Sequence, residues 1–488
     1  MLKWTLAVDL YKHHLREISS IISYIMNGLS YKKTFKSELV DLQMNTLKDI
    51  VDRAQERIDF DAAHNEEILL GIRVVEIFLR QKHRICYGGQ AINAYLPSKH
   101  KFYKPETSIP DYDFLTPAPK SDVDYLVKKL KDAGLKEIGV REGMHKGTTK
   151  LYVNYVPVAD ITEMNPYFYK KLAHRANIIE GITYIDPNTL RMMMYLELSR
   201  PRGEVSRWPK VFERLMLLNT YAPMNECNSH IRRNKSRIPY YIRKEILNYV
   251  IGEGRILAGG EITSYYKARL HGERTVDWFF EQRNPVIFYS PDIKHDINIL
   301  FSKLGNDFTL KSYPAEADFF PPIDVVSWKG RPVFLIIQQS ACHSYNKLQM
   351  SDGRQLNIAS IETLITLYLS LTFRKQLEKY MEFPILCLVQ ELIEISMLYR
   401  KNYKESRASK AFPFISIECS GYQKQMPTLL KEKVERIRIA KNAVASSKSS
   451  IRKMSIKVPH NPLKQKKHIK KHTQKQSHRD NNHTRRRV

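Results

Sequence analysis

The segment best equipped for chemistry is Pro110-Asp111-Tyr112-Asp113-Phe114-Leu115. In an extended strand, residues i and i+2 face the same side, so Asp111 and Asp113 would project together. Like charges that close are costly unless a cation sits between them. Hard carboxylate oxygens of this kind suit Mg²⁺ or Mn²⁺, with substrate phosphates completing the shell. A third acid, Asp160, ends the otherwise apolar stretch Val156-Pro157-Val158-Ala159, and a neighbouring strand could bring it against the first pair. Three convergent carboxylates are what phosphoryl transfer by two metal ions requires.

Plainer readings compete with this one. Asp122 and Asp124 repeat the spacing where a helix begins, and Ser121 with Asp124 reads as a capping arrangement. Asp59 and Asp61 stand ahead of another helix and read as its caps. Gly88-Gly89 lies after a strand and before a short helix. It can expose amides to phosphate, or it can be an ordinary turn.

The elements that must position these residues follow from periodicity. Up to about residue 82 the chain reads helical, with Ile68, Ile72, Val75 and Leu79 at helical spacing and Asp61 as the cap. Residues 84–87 read as a strand, 90–96 as a short helix and 97–110 as a lysine- and proline-rich loop. Strands at 111–116, 150–155 and 158–161 are expected, with a helix over 121–134 closed by Gly134.

An internal echo follows. RICYGGQAINAY from Arg84 resembles RILAGGEITSYY from Arg255. PVADIT from Pro157 resembles PPIDVV from Pro321, and TLRMMMYLEL from Thr189 resembles TLITLYLSL from Thr363. Collinear anchors of this kind indicate a duplicated module. The alignment places Pro285, Val286 and Ile287 where Asp111, Tyr112 and Asp113 stand, and leaves only Asp324 opposite Asp160. The second copy is therefore expected to be inert.

The chain has 488 residues, 43% of them hydrophobic and 10% aromatic, which is material for sizeable cores. Its net charge of +28 favours a polyanionic partner, nucleic acid or an acidic membrane surface. No run approaches the length of a membrane-spanning apolar helix. The opening MLKWTLAVDLYKHH is interrupted by Asp9 and has no small-residue cleavage site, so no secretory leader is expected. Residues 441–488 carry 15 Lys/Arg against one acid, half the total net charge. They read as a disordered basic tail that could grip RNA phosphates, act as a targeting signal or simply be solvated. The five cysteines (Cys86, Cys227, Cys342, Cys387 and Cys419) form no C-x-x-C pair. Cys227 and His230 have zinc-like spacing without a second pair, so free, mostly buried thiols are expected.

Taken together, the strings ICYGGQAINAYLPSK, IPDYDFLTP, KLYVNYVPVADITEMNP and YIDPNTLRMMMYLELSRP resemble the poly(A) polymerase catalytic subunits of nucleocytoplasmic large DNA viruses. These are members of the DNA polymerase β-like nucleotidyltransferase superfamily. The resemblance is clear from Arg84 to Pro209 and weaker to about residue 440. It implies an α+β fold, with a catalytic nucleotidyltransferase module on a mixed sheet (83–209). A helical N-terminal region (1–82), a helical connector (210–250), a degenerate second module (251–440) and the tail would complete the chain.

The resemblance also implies a template-independent enzyme that adds AMP from ATP to the 3′ end of RNA. Asp111 and Asp113 would bind two Mg²⁺ or Mn²⁺ ions, Asp160 would complete the catalytic site, and Gly88 and Gly89 would hold the ATP triphosphate. Beside this, Lys150 lies near the expected active-site strands, where it reads either as a nucleotide-binding group or as a solvated lysine. The enzyme's expected partners are ATP and a single-stranded RNA 3′ end, a homodimer is plausible, no membrane is involved, and the setting is the cytoplasmic viral factory or the virion. Two departures stand out. Position 89 is Gly where many members place Ser, and residues 90–110 make a longer gap before the acids than most cellular members have. The competing readings are a CCA-adding or oligoadenylate-type enzyme and a catalytically silent RNA-binding assembly protein.

Overall fold

The structure is a computed structural model. It describes residues 38–454 except 105, 225, 226, 228–237, 271–277, 283, 306, 318, 382, 383 and 402–411. Two helices lead in, α1 (Glu38–Ala63) and α2 (Glu66–Lys82). Asn65, not Asp61, caps α2: its side chain accepts from the Ile68 N–H, and the buried face is Ile68, Ile72, Val75, Phe78 and Leu79. Asp59 and Asp61 lie inside α1, where Asp61 pairs with Arg57 at 3.3 Å one turn back.

The first sheet has seven strands: β1 (Ile85–Tyr87), β2 (Tyr112–Thr116), β3 (Ile138–Glu142), β4 (Thr148–Val153), β5 (Val156–Glu163), β6 (Asn177–Ile179) and β7 (Ile182–Tyr184). Their order is β3-β4-β5-β2-β1-β7-β6. The central β2 is parallel to β5 and antiparallel to β1. With it run α3 (Gly88–Ala94), α4 (Pro119–Asp132), α5 (Pro166–Ala173), α6 (Pro187–Leu198) and α7 (Trp208–Tyr221). β1 enters α3 directly at Gly88, two residues earlier than the sequence reading placed the helix. Ser121 and Asp124 are not caps, because α4 starts at Pro119. Asp122 instead takes two hydrogen bonds from Arg84, at 2.8 and 2.9 Å, tying α4 to the start of β1.

The second half comprises α8 (Tyr240–Gly252), β8 (Ile256–Ala258), α9 (Gly260–Leu270), α10 (Trp278–Glu281), β9 (Val286–Ser290), α11 (Ile293–Leu304), β10 (Phe308–Tyr313), β11 (Ile323–Trp328), β12 (Arg331–Gln338), β13 (His343–Gln349), β14 (Gln355–Ala359), α12 (Ile361–Leu371), α13 (Ile385–Lys401), β15 (Cys419–Ser420) and α14 (Met426–Met454). Its strand order, β10-β11-β12-β9-β8-β14-β13-β15, repeats that of the first sheet with one strand added. The Arg84–Asp122 clasp recurs as Arg255–Asp296, with both bonds at 2.8 Å. Asp186 caps α6 as Ser360 caps α12.

One sequence alignment needs correcting. Asp324 lies on β11, the counterpart of β4, and not on the counterpart of β5. The true partner strands each shift register next to a proline, Pro157 on β5 and Pro332 on β12. Leu335 then pairs with Ile287 as Asp160 pairs with Asp113. All three acids are therefore replaced in the second sheet, by Pro285, Ile287 and Leu335.

Among the described residues, those up to 433 form one compact unit that contains both sheets, and those from 434 to 454 belong to another. Within the first unit α6 packs on α12. The Phe168 ring lies 5.1 Å from those of both Phe319 and Phe373, and Lys171 bridges to Glu316 at 2.7 Å. Aromatic pairs of this kind add about 0.5–1.5 kcal/mol each beyond their buried area.

Four of the five cysteines are paired, Cys227 with Cys387 and Cys342 with Cys419. Only Cys86 is a free, buried thiol, which corrects the expectation for the other four. His230, the second half of the zinc-like spacing, lies outside the described residues. The helix α14 runs through Met454, so the first part of the segment read as a disordered tail is helical. Residues 455–488 lie outside the described residues. No helix among the described residues is long and apolar enough to cross a membrane.

Candidate active site

Register brings the acids together. Asp113 on β2 stands beside Asp160 on the parallel β5, and side chains in register on adjacent strands share a face. Asp111 lies one residue before β2, outside the strand that was expected to contain it. Its carboxylate still converges: one oxygen from each of Asp111, Asp113 and Asp160 lies within 4.8 Å of the other two. Asp111 Oδ1 and Asp160 Oδ1 are buried with no hydrogen-bond partner. Orphaned acceptors are expensive in a folded interior, and an all-oxygen set is what a hard divalent cation takes. The residues present therefore fit such an ion.

Electrostatics point the same way. Burial, then the charge of Asp160, push the Asp111 carboxyl up from 3.8 to about 6, against the pull of Lys150 and Lys210. Burial, then Asp111 and Asp160, push Asp113 up to about 8. Lys150 on β4 sits opposite Asp160 and donates to its Oδ2. Burial lowers the Lys150 ammonium, but the hydrogen bond and charge of Asp160 outweigh this and raise it. Lys150 is thus the counter-ion of Asp160.

The glycines touch the same cluster. Gly88 has φ +71°, and a Cβ there would fall on the Asp113 carboxylate. This closeness follows from the antiparallel pairing of Tyr87 with Asp113. A Cβ at Gly89 would lie 2.7 Å from both the Tyr103 hydroxyl and Arg214 Nη1.

Sequence reasoning missed a basic row. Arg207 immediately precedes α7, and Lys210 and Arg214 lie on it, three and seven residues further on and so roughly on one helix face. Burial, then Arg214 and Arg207, lower the Lys210 ammonium, while Asp59 and Asp111 raise it. Arg207 likewise acts on Asp113, and pairs with Glu197 at 3.4 Å. The signal was present as spacing, but only packing aims the row at the acids. Met192 and Met194, by contrast, are core residues, and His343 is buried against Tyr289.

A mixed sheet whose central strand, the residue leading into it and its parallel neighbour together present three carboxylates beside a Gly-Gly strand-to-helix junction is the nucleotidyltransferase fold. Residues 73–204 match the family profile described as poly(A) polymerase catalytic subunit, so the resemblance read from the sequence is shown for this segment. An African swine fever virus protein (strain Badajoz 1971 Vero-adapted) is 31% identical over 173 residues, covering 33% of this chain and 35% of its own. An Acanthamoeba polyphaga mimivirus protein is 28% identical over 214 residues, covering 40% of this chain and 35% of its own. Both carry the provisional name poly(A) polymerase catalytic subunit. The matched region spans about a third of the length of these relatives. The Megavirus polyadenylate synthase has the same fold, with a TM-score of 0.62 at 18% identity over 85% of this chain and 86% of that one.

Proposed function

We propose that the protein is a template-independent poly(A) polymerase that transfers AMP from ATP to the 3′-hydroxyl of RNA. The observation that carries the proposal is the convergence of Asp111, Asp113 and Asp160 with two buried carboxylate oxygens left unpartnered. The matched relatives support the polyadenylating branch of the superfamily over its other members. Asp111 and Asp113 would hold two divalent ions, Mg²⁺ or Mn²⁺, and Asp160 would complete the set. Such ions supply a lowered pKa for the attacking hydroxyl and neutralise the departing pyrophosphate.

The chain's own groups do the rest. The 3′-hydroxyl gives its proton to solvent as its oxygen forms a bond to the α-phosphorus of ATP, the bond from that phosphorus to the α,β-bridging oxygen breaks, and pyrophosphate leaves with that oxygen. Positioning dominates a reaction of this kind, since no covalent protein intermediate is needed. Lys150 holds Asp160 in place through its ion pair. Arg207 and Lys210 place positive charge beside the carboxylates, where the triphosphate must lie. A homodimer belongs to the same proposal. Leu47, Val51 and Ile58 leave 46, 49 and 62% of their surface exposed along α1, at four- and seven-residue spacing.

The test is primer extension with labelled RNA, each of the four nucleoside triphosphates, and Mg²⁺ or Mn²⁺. ATP-dependent tails are expected from the unmodified protein, and Asp113→Asn should lower the rate at least about 100-fold. Equal use of CTP, or synthesis without primer, would move the chain to the CCA-adding or oligoadenylate-type enzymes. Salt-sensitive RNA binding with no pyrophosphate release would leave only an assembly protein.

A further inference from the structure

The two departures from the resembled family, a glycine at position 89 and a long gap before the acids, meet at one place in the fold. The loop that fills the gap returns over the Gly88-Gly89 junction, and Asn93 clamps it there. Asn93 Oδ1 accepts from the backbone N–H groups of Phe102 (2.9 Å) and Tyr103 (3.2 Å), and its Nδ2 donates to the Tyr103 carbonyl at 3.3 Å. Asn93 itself is 4% exposed, so the clamp is internal to the fold. With its backbone held, Tyr103 brings its hydroxyl to 2.7 Å and its ring edge to 3.1 Å from where a Cβ at residue 89 would stand.

Arg214 arrives from α7. Its Nη1 is also 2.7 Å from that point, and its Nη2 donates to the Tyr103 hydroxyl at 3.3 Å. The guanidinium lies 4.2 Å from the centroid of the Phe102 ring. No carboxylate among the described residues forms an ion pair with Arg214, and its charge, with that of Arg207, adds to burial in lowering the Lys210 ammonium. A guanidinium with no carboxylate partner beside further cations favours an anion. A tyrosine oxygen that accepts from a guanidinium keeps its own proton to donate.

Resting on the polymerase reading above, we propose that the Tyr103 hydroxyl and the Arg214 guanidinium bind the ATP phosphates at this junction, in place of the serine hydroxyl that position 89 lacks. Residue 89 is glycine because any side chain there would displace them. The gap-filling loop is then part of the nucleotide site and not a surface ornament.

The experiment measures ATP binding by calorimetry with the non-reacting α,β-methylene analogue and Mg²⁺, alongside steady-state primer extension. Tyr103→Phe keeps the ring and removes only the hydroxyl. It should raise the Kd of the analogue and the KM for ATP about 5- to 10-fold, with kcat and RNA affinity within about twofold. Gly89→Ser alone should weaken nucleotide binding, whereas in a Tyr103→Ala background the same substitution should restore most of what Tyr103→Ala loses. That reversal of sign is not expected if the loop is merely structural. A Tyr103→Phe protein with unchanged Kd and KM, or a Gly89→Ser effect of the same sign in both backgrounds, overturns the proposal. Should Tyr103→Ala fail to fold, Tyr103→Phe decides alone. An unmodified protein that binds the analogue but extends no RNA would sink the polymerase reading, and the titration would still decide this one.

Discussion

Asp113 is a carboxyl that the fold keeps protonated near neutrality, pushed up to about 8 by burial and by Asp111 and Asp160. Asp111 is raised to about 6 for similar reasons. In the unfolded chain both would titrate near the ordinary 3.8. Between the unfolded and folded values the native state holds more protons, so stability falls as pH rises. The contribution of these two groups is present at about pH 4 and lost on rising through about pH 8. A divalent cation reverses the balance by taking the place of the protons. Mg²⁺ should therefore raise the unfolding midpoint by a few degrees more at pH 8.5 than at pH 5.5, and Asp113→Asn should flatten that difference. Scanning calorimetry checks this. Equal shifts at both pH values would mean that the carboxylates are not the site of the ion.

At the scale of elements, the site depends on how α7 is held. Arg191 on α6 is 1% exposed and donates to Asn219 Oδ1 at 2.8 Å, to Asn188 Oδ1 at 2.7 Å and to the carbonyls of Leu218 and Ala222. These two carbonyls close the C-terminal end of α7: Leu218 O also accepts from the Ala222 N–H at 3.0 Å, and Ala222 is the residue that follows the helix. One buried guanidinium thus fixes the far end of the helix that carries Lys210 and Arg214. Arg191→Ala should cost about 3 kcal/mol through stranded acceptors and an empty volume. It should also raise the KM for ATP more than it lowers kcat. Denaturant unfolding gives the first quantity and steady-state kinetics the second. A stability loss with unchanged KM would show that α7 keeps its aim without this anchor.

Across the whole molecule the same topology is used twice with opposite chemical outcomes. The Arg–Asp clasp and the helix caps are kept in both copies, while the acids survive in one. In the second sheet Ile287 and Leu335 are 4% and 1% exposed, so the former site has become core. Charge acts at this scale too. Residues 455–488 contribute 11 of the 79 Lys/Arg. Each phosphate contact neutralised on a single strand adds about 0.7 to the slope of log affinity against log salt. Truncation after Met454 should flatten that slope by several units, as measured by fluorescence anisotropy at a series of salt concentrations. An unchanged slope would assign the tail no part in gripping RNA.

Asp113, Asp160 and the glycines beside them were legible from order and spacing, because each lies in a short segment whose strand or helix period fixes its direction, whereas Asp111 converges with them from just outside its expected strand. The helical face of Ile68, Ile72, Val75 and Leu79, which the structure buries, was legible too. What spacing does not determine is which strand lies beside which. Spacing pointed to the proline-led segment at 321 as the counterpart of the Asp160 strand, whereas hydrogen-bond register gives that place to the segment containing Pro332. The cysteine pairs span 160 and 77 residues, and Tyr103 meets Arg214 across a separation of 111. Contacts that distant leave no periodic trace in the chain. They exist because a closed core leaves each side chain one place to go, and this is the part that tertiary packing alone decided.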